Sequence, residues 1–372
     1  MSSVVTEQPS RTDDRGVLQR LSVVDRLLPL WIGVAMLAGL GLGRVIPSLA
    51  DRLNAVQVGS VSLPIAVGLL VMMYPVLAKV RYGQLDAVAA DRRLLGASLL
   101  LNWIVGPAVM FSLAWLLLPD LPAYRTGLIV VGLARCIAMV LIWNDLACGD
   151  GEAAAVLVAL NSIFQLVAFA GLGWFYLDGL PGWLGLHQTQ VRFSTSTIAV
   201  SVLVFLGIPL VAGFLSRTFG EATRGRTWYE TRYLPRVSPV AMYGLLFTVA
   251  VLFALQGHAV TSHPGDVARI ALPLLAYFGV MFSGGFAIGR RLHLGYAKTA
   301  TLAFTAAGNN FELAIATSIA VFGVTSGQAL AGVVGPLVEV PVLVALVYVA
   351  LWLRRRRDWP DRLEVSRGVT RS

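Results

Sequence analysis

One thiol, one arginine and two carboxyls set in apolar surroundings are the groups of this chain that could do chemistry. Arg135 and Cys136 break an apolar stretch over residues 124–150; Asn309, Asn310 and Glu312 break a second over 296–323. Glu339 stands between Pro336 and Pro341 in a third. Burying an ion in hydrocarbon costs about 3 kcal/mol on insertion scales, so such residues face a partner or an aqueous cavity. One cation against two carboxyls leaves a surplus. A carboxyl left unpaired away from water favours its neutral form and can carry a proton. The reading adopted pairs Glu339 with Arg135 and lets Glu312 carry the proton; the reverse pairing, and a static ion triad that only fixes packing, stay open. Cys136 offers a soft sulfur, which selects thiophilic partners, with a cation beside it to balance a thiolate. A membrane cysteine also serves as a small apolar filler. A single sulfur cannot build a multi-thiolate cage, and such weak binding suits a carrier that must release its cargo. Asn309 and Asn310 tolerate left-handed backbone and offer donors and acceptors to exposed backbone or to a ligand; simple local helix capping by either one is the equal alternative. Asn102, Trp143 and Asn144 are weaker candidates.

The elements that must position these groups are membrane helices. The chain of 372 residues is 57% hydrophobic and only 13% charged, where soluble domains carry about a quarter charged residues. Several uncharged stretches have the length of a membrane helix. The net charge of +9 does not point to nucleic acid: 23 of the 29 Lys and Arg fall at the two termini or in alternate connectors. That asymmetry is the positive-inside pattern and places both termini in the cytoplasm. Two cysteines exclude a disulfide framework. The four histidines are scattered over connectors, so no resident metal site or cofactor is read. No HExxH and no nucleophile–base spacing appears, which argues against an enzyme. Residues 1–26 read as a disordered cytoplasmic tail without a signal-peptide core.

About ten spans follow in order: Leu27–Ile46, Ser62–Val80 after an amphipathic connector (Ser48–Val61), Leu94–Leu118, the first broken segment, and Ala153–Leu177. An outer linker over 178–194 leads to Thr195–Leu215, Val237–Gln256, Val267–Ile288, the second broken segment, and Gly327–Leu353. A basic cytoplasmic tail fills 354–372. Parity makes the acidic connector of Asp145, Asp150 and Glu152 cytoplasmic, although it carries no Lys or Arg. The halves 27–177 and 195–353 also match each other. A shift of 176 carries Gly132 onto Gly308, Cys136 onto Glu312 and Ala138 onto Ala314. Similar shifts carry Gly33, Ala38 and Gly39 onto Gly207, Ala212 and Gly213, and Pro64 and Ala66 onto Pro239 and Ala241. Spans three and eight do not align. Five spans per repeat is odd, so the second copy enters from the opposite side, the inverted-repeat plan of transporters. The fold class is an all-α membrane protein of about ten helices in two inverted five-helix repeats, helices four and nine discontinuous.

The motifs LLPLWIGVAMLAGLGLG, PIAVGLLVMMYPVLAKV, LLLNWIVGPAVMF, GLARCIAMVLIWNDLA, NNFELAIA and GQALAGVVGPLVEVPVLVALVYVALWL are long and ordered. From Arg26 to Arg355 the chain resembles the arsenical-resistance arsenite efflux permeases, within the superfamily of bile-acid/sodium symporter-like proteins. The resemblance implies that the two broken helices cross at the centre, and that arsenite, for some members also antimonite, is expelled across the cell membrane as protons come in. It places the essential cysteine at Cys136, as the arsenic(III) ligand, and the essential glutamate at Glu312. Arg135, Trp143, Asn102, Asn310 and Glu339 fall on motif positions of lesser weight. Gly308 stands where these permeases more often have serine, and Cys148 is outside the family pattern. The alternatives are a sodium-coupled organic-anion carrier of the same fold and a non-transporting scaffold. The first needs acidic or carbonyl cation sites; the second leaves the charge triad without a reason.

Overall fold

The computed structural model describes residues 27–46, 48–49, 57–58, 61–80, 91–137, 139–186, 194–262, 264–357 and 359. The N-terminal tail, most of the Ser48–Val61 connector, residues 81–90, Ala138, the middle of the outer linker and most of the C-terminal tail lie outside the described residues. Within them the chain is almost wholly helical: α1 (Leu28–Val45), α2 (Leu63–Ala78), α3 (Arg92–Leu117), α4 (Pro122–Leu133), α5 (Met139–Leu146), α6 (Gly151–Trp183), α7 (Thr195–Arg224), α8 (Leu234–Ser262), α9 (Pro264–Arg291), α10 (Gly295–Ala307), α11 (Phe311–Phe322) and α12 (Gly327–Arg356). A minimal hairpin pairs Gln57–Val58 with Val61–Ser62 just before α2. Among the described residues, six helices are long and apolar enough to cross a membrane, and shorter apolar ones accompany them. Large apolar side chains stand on the outside, with Leu37 71% and Val167 79% exposed. A surface of that kind is stable against lipid, not water.

Both broken segments are interrupted helices. The first is α4, an extended break from Ala134, then α5; the second is α10, a break over Gly308–Asn310, then α11. The asparagines do not enter left-handed backbone, since Asn310 has φ −97° and Cys148 and His293 are the non-glycine residues with positive φ among those described. Asn310 acts through its side chain instead: its Oδ1 caps α11 by accepting the Leu313 N–H at 3.0 Å, as Asn does at a helix start. The breaks are also not in strict register. Gly132 lies in the last turn of α4, whereas its counterpart Gly308 is the first residue beyond α10. Cys136 consequently sits in extended chain before α5, while Glu312 is already in the first turn of α11.

The helices pack into two groups. In one, α8 lies along α1 and α2, and α2 along α7. Gly39 and Gly43 of α1 permit the first contact: a Cβ on Gly39 would lie 2.9 Å from Phe253 Cβ, and one on Gly43 would lie 3.1 Å from the Ala254 carbonyl carbon and closer still to its oxygen. Small residues four apart let membrane helices approach this closely. The second group joins α3, α4, α5, α6, α9, α10, α11 and α12. The groups meet where α7 rests on α6 and α11, and α8 on α12.

Polar contacts gather the connectors of the second group at its two ends. At one end Asp91 caps α3 and pairs with Lys298 at 2.7 Å. Burial opposes its charge, but Lys298 and backbone N–H groups hold the Asp91 carboxyl below its usual range. The acidic connector is at this same end: the Asp150 N–H donates to Thr301 Oγ1 at 2.9 Å, and Tyr296 Oη donates to the Ala147 carbonyl at 2.7 Å. The connector without Lys or Arg thus lies beside the basic one. A separate cluster ties Arg269 to Asp120, and Tyr124 to Asp266 at 3.1 Å.

Candidate functional site

Four half-helices end at one point inside the second group, and this leaves backbone groups to be satisfied away from water. The two extended breaks satisfy each other. Arg135 and Asn309 face one another as an antiparallel backbone pair. The Asn310 N–H donates to the Ala134 carbonyl at 3.0 Å, and the Cys136 N–H to the Gly308 carbonyl at 3.3 Å. Asn309 ties the crossing to α4 through Nδ2, which donates to the Val131 carbonyl at 2.8 Å. Its backbone N–H donates to Glu339 Oε1 at 3.3 Å, which brings α12 in. Arg135, Cys136, Asn309, Asn310 and Glu339 therefore meet at the crossing, each 5% exposed or less.

The helix polarity sorts the charges. α4 and α10 bring their C-terminal, partly negative ends to the crossing; α5 and α11 bring their N-terminal, partly positive ends. Arg135 occupies the negative side. Its guanidinium donates to the Gly132 carbonyl, to Tyr277 Oη at 2.6 Å and to the Ala306 carbonyl at 3.5 Å. The expected ion pair does not form: Arg135 contacts neither Glu339 nor Glu312. The physical reason is that two converging helix C-termini and a phenol supply the partners that a carboxylate was expected to supply. On the positive side, Cys136 precedes the N-terminus of α5. The carboxyls of Glu339 and Glu312 both lie within electrostatic range of this thiol and of each other.

Glu312 is half-buried and sits where the two helix groups meet. It lines a crevice with Leu69, Met73, Phe205 and Leu206 of the first group, and a second with Thr248 and Leu252 of that group and Pro336 of α12. Asn310 shares the first of these. The carboxyl thus faces a boundary between bundles, whereas Glu339, 3% exposed, is locked behind the crossing. At the crossing Asn309 Oδ1, Asn310 Nδ2 and Arg135 Nε have no hydrogen-bond partner among the described residues, and the same holds for Gln165 Nε2 beside Arg135 and Trp143 Nε1 in α5. They leave four donors and one acceptor with unspent capacity.

The remaining candidates stand further off. Asn102 is buried and spends its Nδ2 on Ser98 of its own helix, at 2.8 Å to the carbonyl and 3.1 Å to Oγ. Asn144 accepts from Thr301 Oγ1 at 2.7 Å, a structural contact between α5 and α10. Cys148 lies beyond α5 with φ 55° and belongs to the connector. Sequence reasoning missed Tyr277, Gln165 and Gly106 as parts of the site. Gln165 Oε1 accepts the Arg135 N–H at 2.5 Å. Gly106 makes room for the guanidinium, since a Cβ there would lie 2.8 Å from Arg135 Nη1. Gln165 carried a signal as an amide in mid-span. Tyr277 carried none, because it lies in the span that has no recognisable counterpart in the other repeat.

Comparison with known proteins fits this geometry. The model of the sodium bile acid symporter family matches residues 66–263. The chain is 58% identical over 342 residues to the arsenical-resistance protein of Corynebacterium glutamicum, covering 92% of each. It is 35% identical to an uncharacterized transporter of Synechocystis, over 90% of this chain and 91% of that protein. It is 31% identical to the arsenical-resistance protein of Alkaliphilus metalliredigens, over 90% and 93% respectively. The chain belongs to the sodium bile acid symporter family and, within it, groups with the arsenical-resistance proteins.

Proposed function

We propose that the chain expels arsenite across the cell membrane in exchange for protons. The observation that carries this reading is one buried thiol at the crossing of two broken helices and one half-buried carboxyl in the first turn of the helix that leaves it, in a chain so similar to proteins named for arsenical resistance. Arsenite is a neutral trihydroxy acid of a thiophilic element. Cys136 supplies the soft sulfur that arsenic(III) prefers, in the extended break just before α5. Asn309 Oδ1, Asn310 Nδ2 and Trp143 Nε1 supply unspent hydrogen-bonding capacity for hydroxyl groups. Antimonite, of the same shape and softness, fits the same description.

In this reading Glu312 carries the proton. It is the carboxyl at the boundary between the helix groups, where a change in their packing alternates its access. Arsenite enters the site from the cytoplasm and leaves outward; Glu312 then takes a proton from outside, and its neutralisation favours return of the empty carrier. Exchange is strict when protonated Glu312 and bound arsenite exclude each other. Ten spans in two inverted repeats (27–177 and 195–353), joined by an outer linker and flanked by cytoplasmic tails, are the architecture that this cycle implies, with both termini inside a cytoplasmic membrane.

Everted membrane vesicles test the reading. Arsenite should accumulate when the lumen is acid, fall to background in Cys136→Ala and stay near the parent level in Cys148→Ala. Accumulation that survives the loss of Cys136 would contradict the assignment.

A further inference from the structure

The matched family model is described by its sodium coupling, so a sodium site must be tested against the residues present. Sodium is a hard cation and takes oxygen ligands, and in broken-helix carriers these come from unwound carbonyls and half-helix C-termini. This chain has such a place. The C-termini of α4 and α10 converge on it, and its oxygens are the carbonyls of Gly132 and Ala306 and the hydroxyl of Tyr277. The guanidinium of Arg135 holds all three. Space is closed as well, because a Cβ on Gly106 would already be 2.8 Å from Nη1. A free cation does not fit beside this group.

We propose that Arg135 is a tethered replacement for a coupling cation. Three observations converge on it. Arg135 is 0% exposed, so its charge, which protein environments do not remove, needs compensation. That compensation comes from the two helix C-termini and a phenol, the partners a bound cation would have. The Glu312 and Glu339 carboxyls contact it nowhere, so the arginine neutralises helix ends and leaves both acids to other work. A cation that is part of the chain never dissociates. The crossing of the broken helices is then held in every state of the cycle, and transport requires no sodium. This inference concerns the coupling ion and rests on the proposed transport only for one of its two readouts.

The test compares the parent protein with Arg135→Ala and Arg135→Lys, in sodium medium and with sodium replaced by choline. Arsenite transport and melting temperature of the parent should be the same in both media. Arg135→Ala should lose transport and melt lower; millimolar sodium or guanidinium should raise its melting temperature, and that of the parent not at all. Arg135→Lys, still a tethered cation, should keep sodium-independent behaviour at a reduced rate. Sodium dependence in the parent, or a folded Arg135→Ala whose melting responds to neither cation, would overturn the proposal. If Arg135→Ala does not fold, sodium dependence appearing in Arg135→Lys overturns it, and its absence bears it out. A parent protein that moves no arsenite in either medium counts against the proposed function, while the melting shifts still decide this inference.

Discussion

At the scale of single residues, two glutamates with the same chemistry have different surroundings. Glu339 is buried behind the crossing and accepts the backbone N–H of Asn309 at 3.3 Å. Glu312 borders crevices between the helix groups and makes no such contact with the crossing. Their neutral variants should therefore fail differently. Glu312→Gln should reduce the response of arsenite uptake to a pH gradient by roughly tenfold or more, an ordinary size for a coupling free energy, while arsenite still protects Cys136 from a thiol reagent. Glu339→Gln keeps an oxygen that accepts the Asn309 N–H and should leave that protection intact, whereas Glu339→Leu removes the acceptor and should weaken it. Equal loss of both readouts in Glu312→Gln and Glu339→Leu would show that the carboxyls act as one unit. Charge counting found these residues, since an ion in hydrocarbon stands out in sequence. It misjudged their partners, because backbone carbonyls at helix ends are invisible to a count of charged side chains.

At the scale of elements, the interrupted helices can be read from sequence, and the way they are held cannot. Small and polar residues at mid-span announce the breaks, and Asn310 followed by Phe311 and Glu312 is a helix start by its residue types. The mutual backbone pairing of Ala134–Cys136 with Gly308–Asn310 joins segments that are distant in the chain, and no local pattern encodes it. The same holds for Tyr277, which reaches Arg135 from α9. Asn309 is the residue that ties these pieces together, through Val131 and Glu339. Asn309→Ala removes one of two donors to the buried Val131 carbonyl, the Ala134 N–H at 3.1 Å remaining, which costs about 0.5–1.5 kcal/mol. The expected outcome is a lower melting temperature in detergent together with slower arsenite uptake. An unchanged melting temperature would mean that the crossing is held by its backbone pairs alone.

At the scale of the whole molecule, composition and charge asymmetry are enough to establish a multi-pass helical membrane protein, because both follow from lipid and membrane potential rather than from tertiary packing. The division into two packed groups, α1, α2, α7 and α8 against the rest, is a tertiary fact. It depends on close contacts such as Gly39 and Gly43 against α8, and glycines of that kind are too common in apolar sequence to be singled out. That division gives the site its meaning. The thiol is built into one group at its broken centre, and Glu312 faces the seam between the two. In the proposed function a proton on Glu312 and a metalloid on Cys136 compete. The most direct test is to load purified protein in liposomes with arsenite and a luminal pH dye, dilute them into arsenite-free medium without a pH gradient, and follow the dye. The account predicts that the lumen acidifies as arsenite leaves, and that Cys136→Ala and Glu312→Gln abolish the signal. Arsenite efflux with no change in luminal pH, or efflux that requires sodium outside, would contradict it.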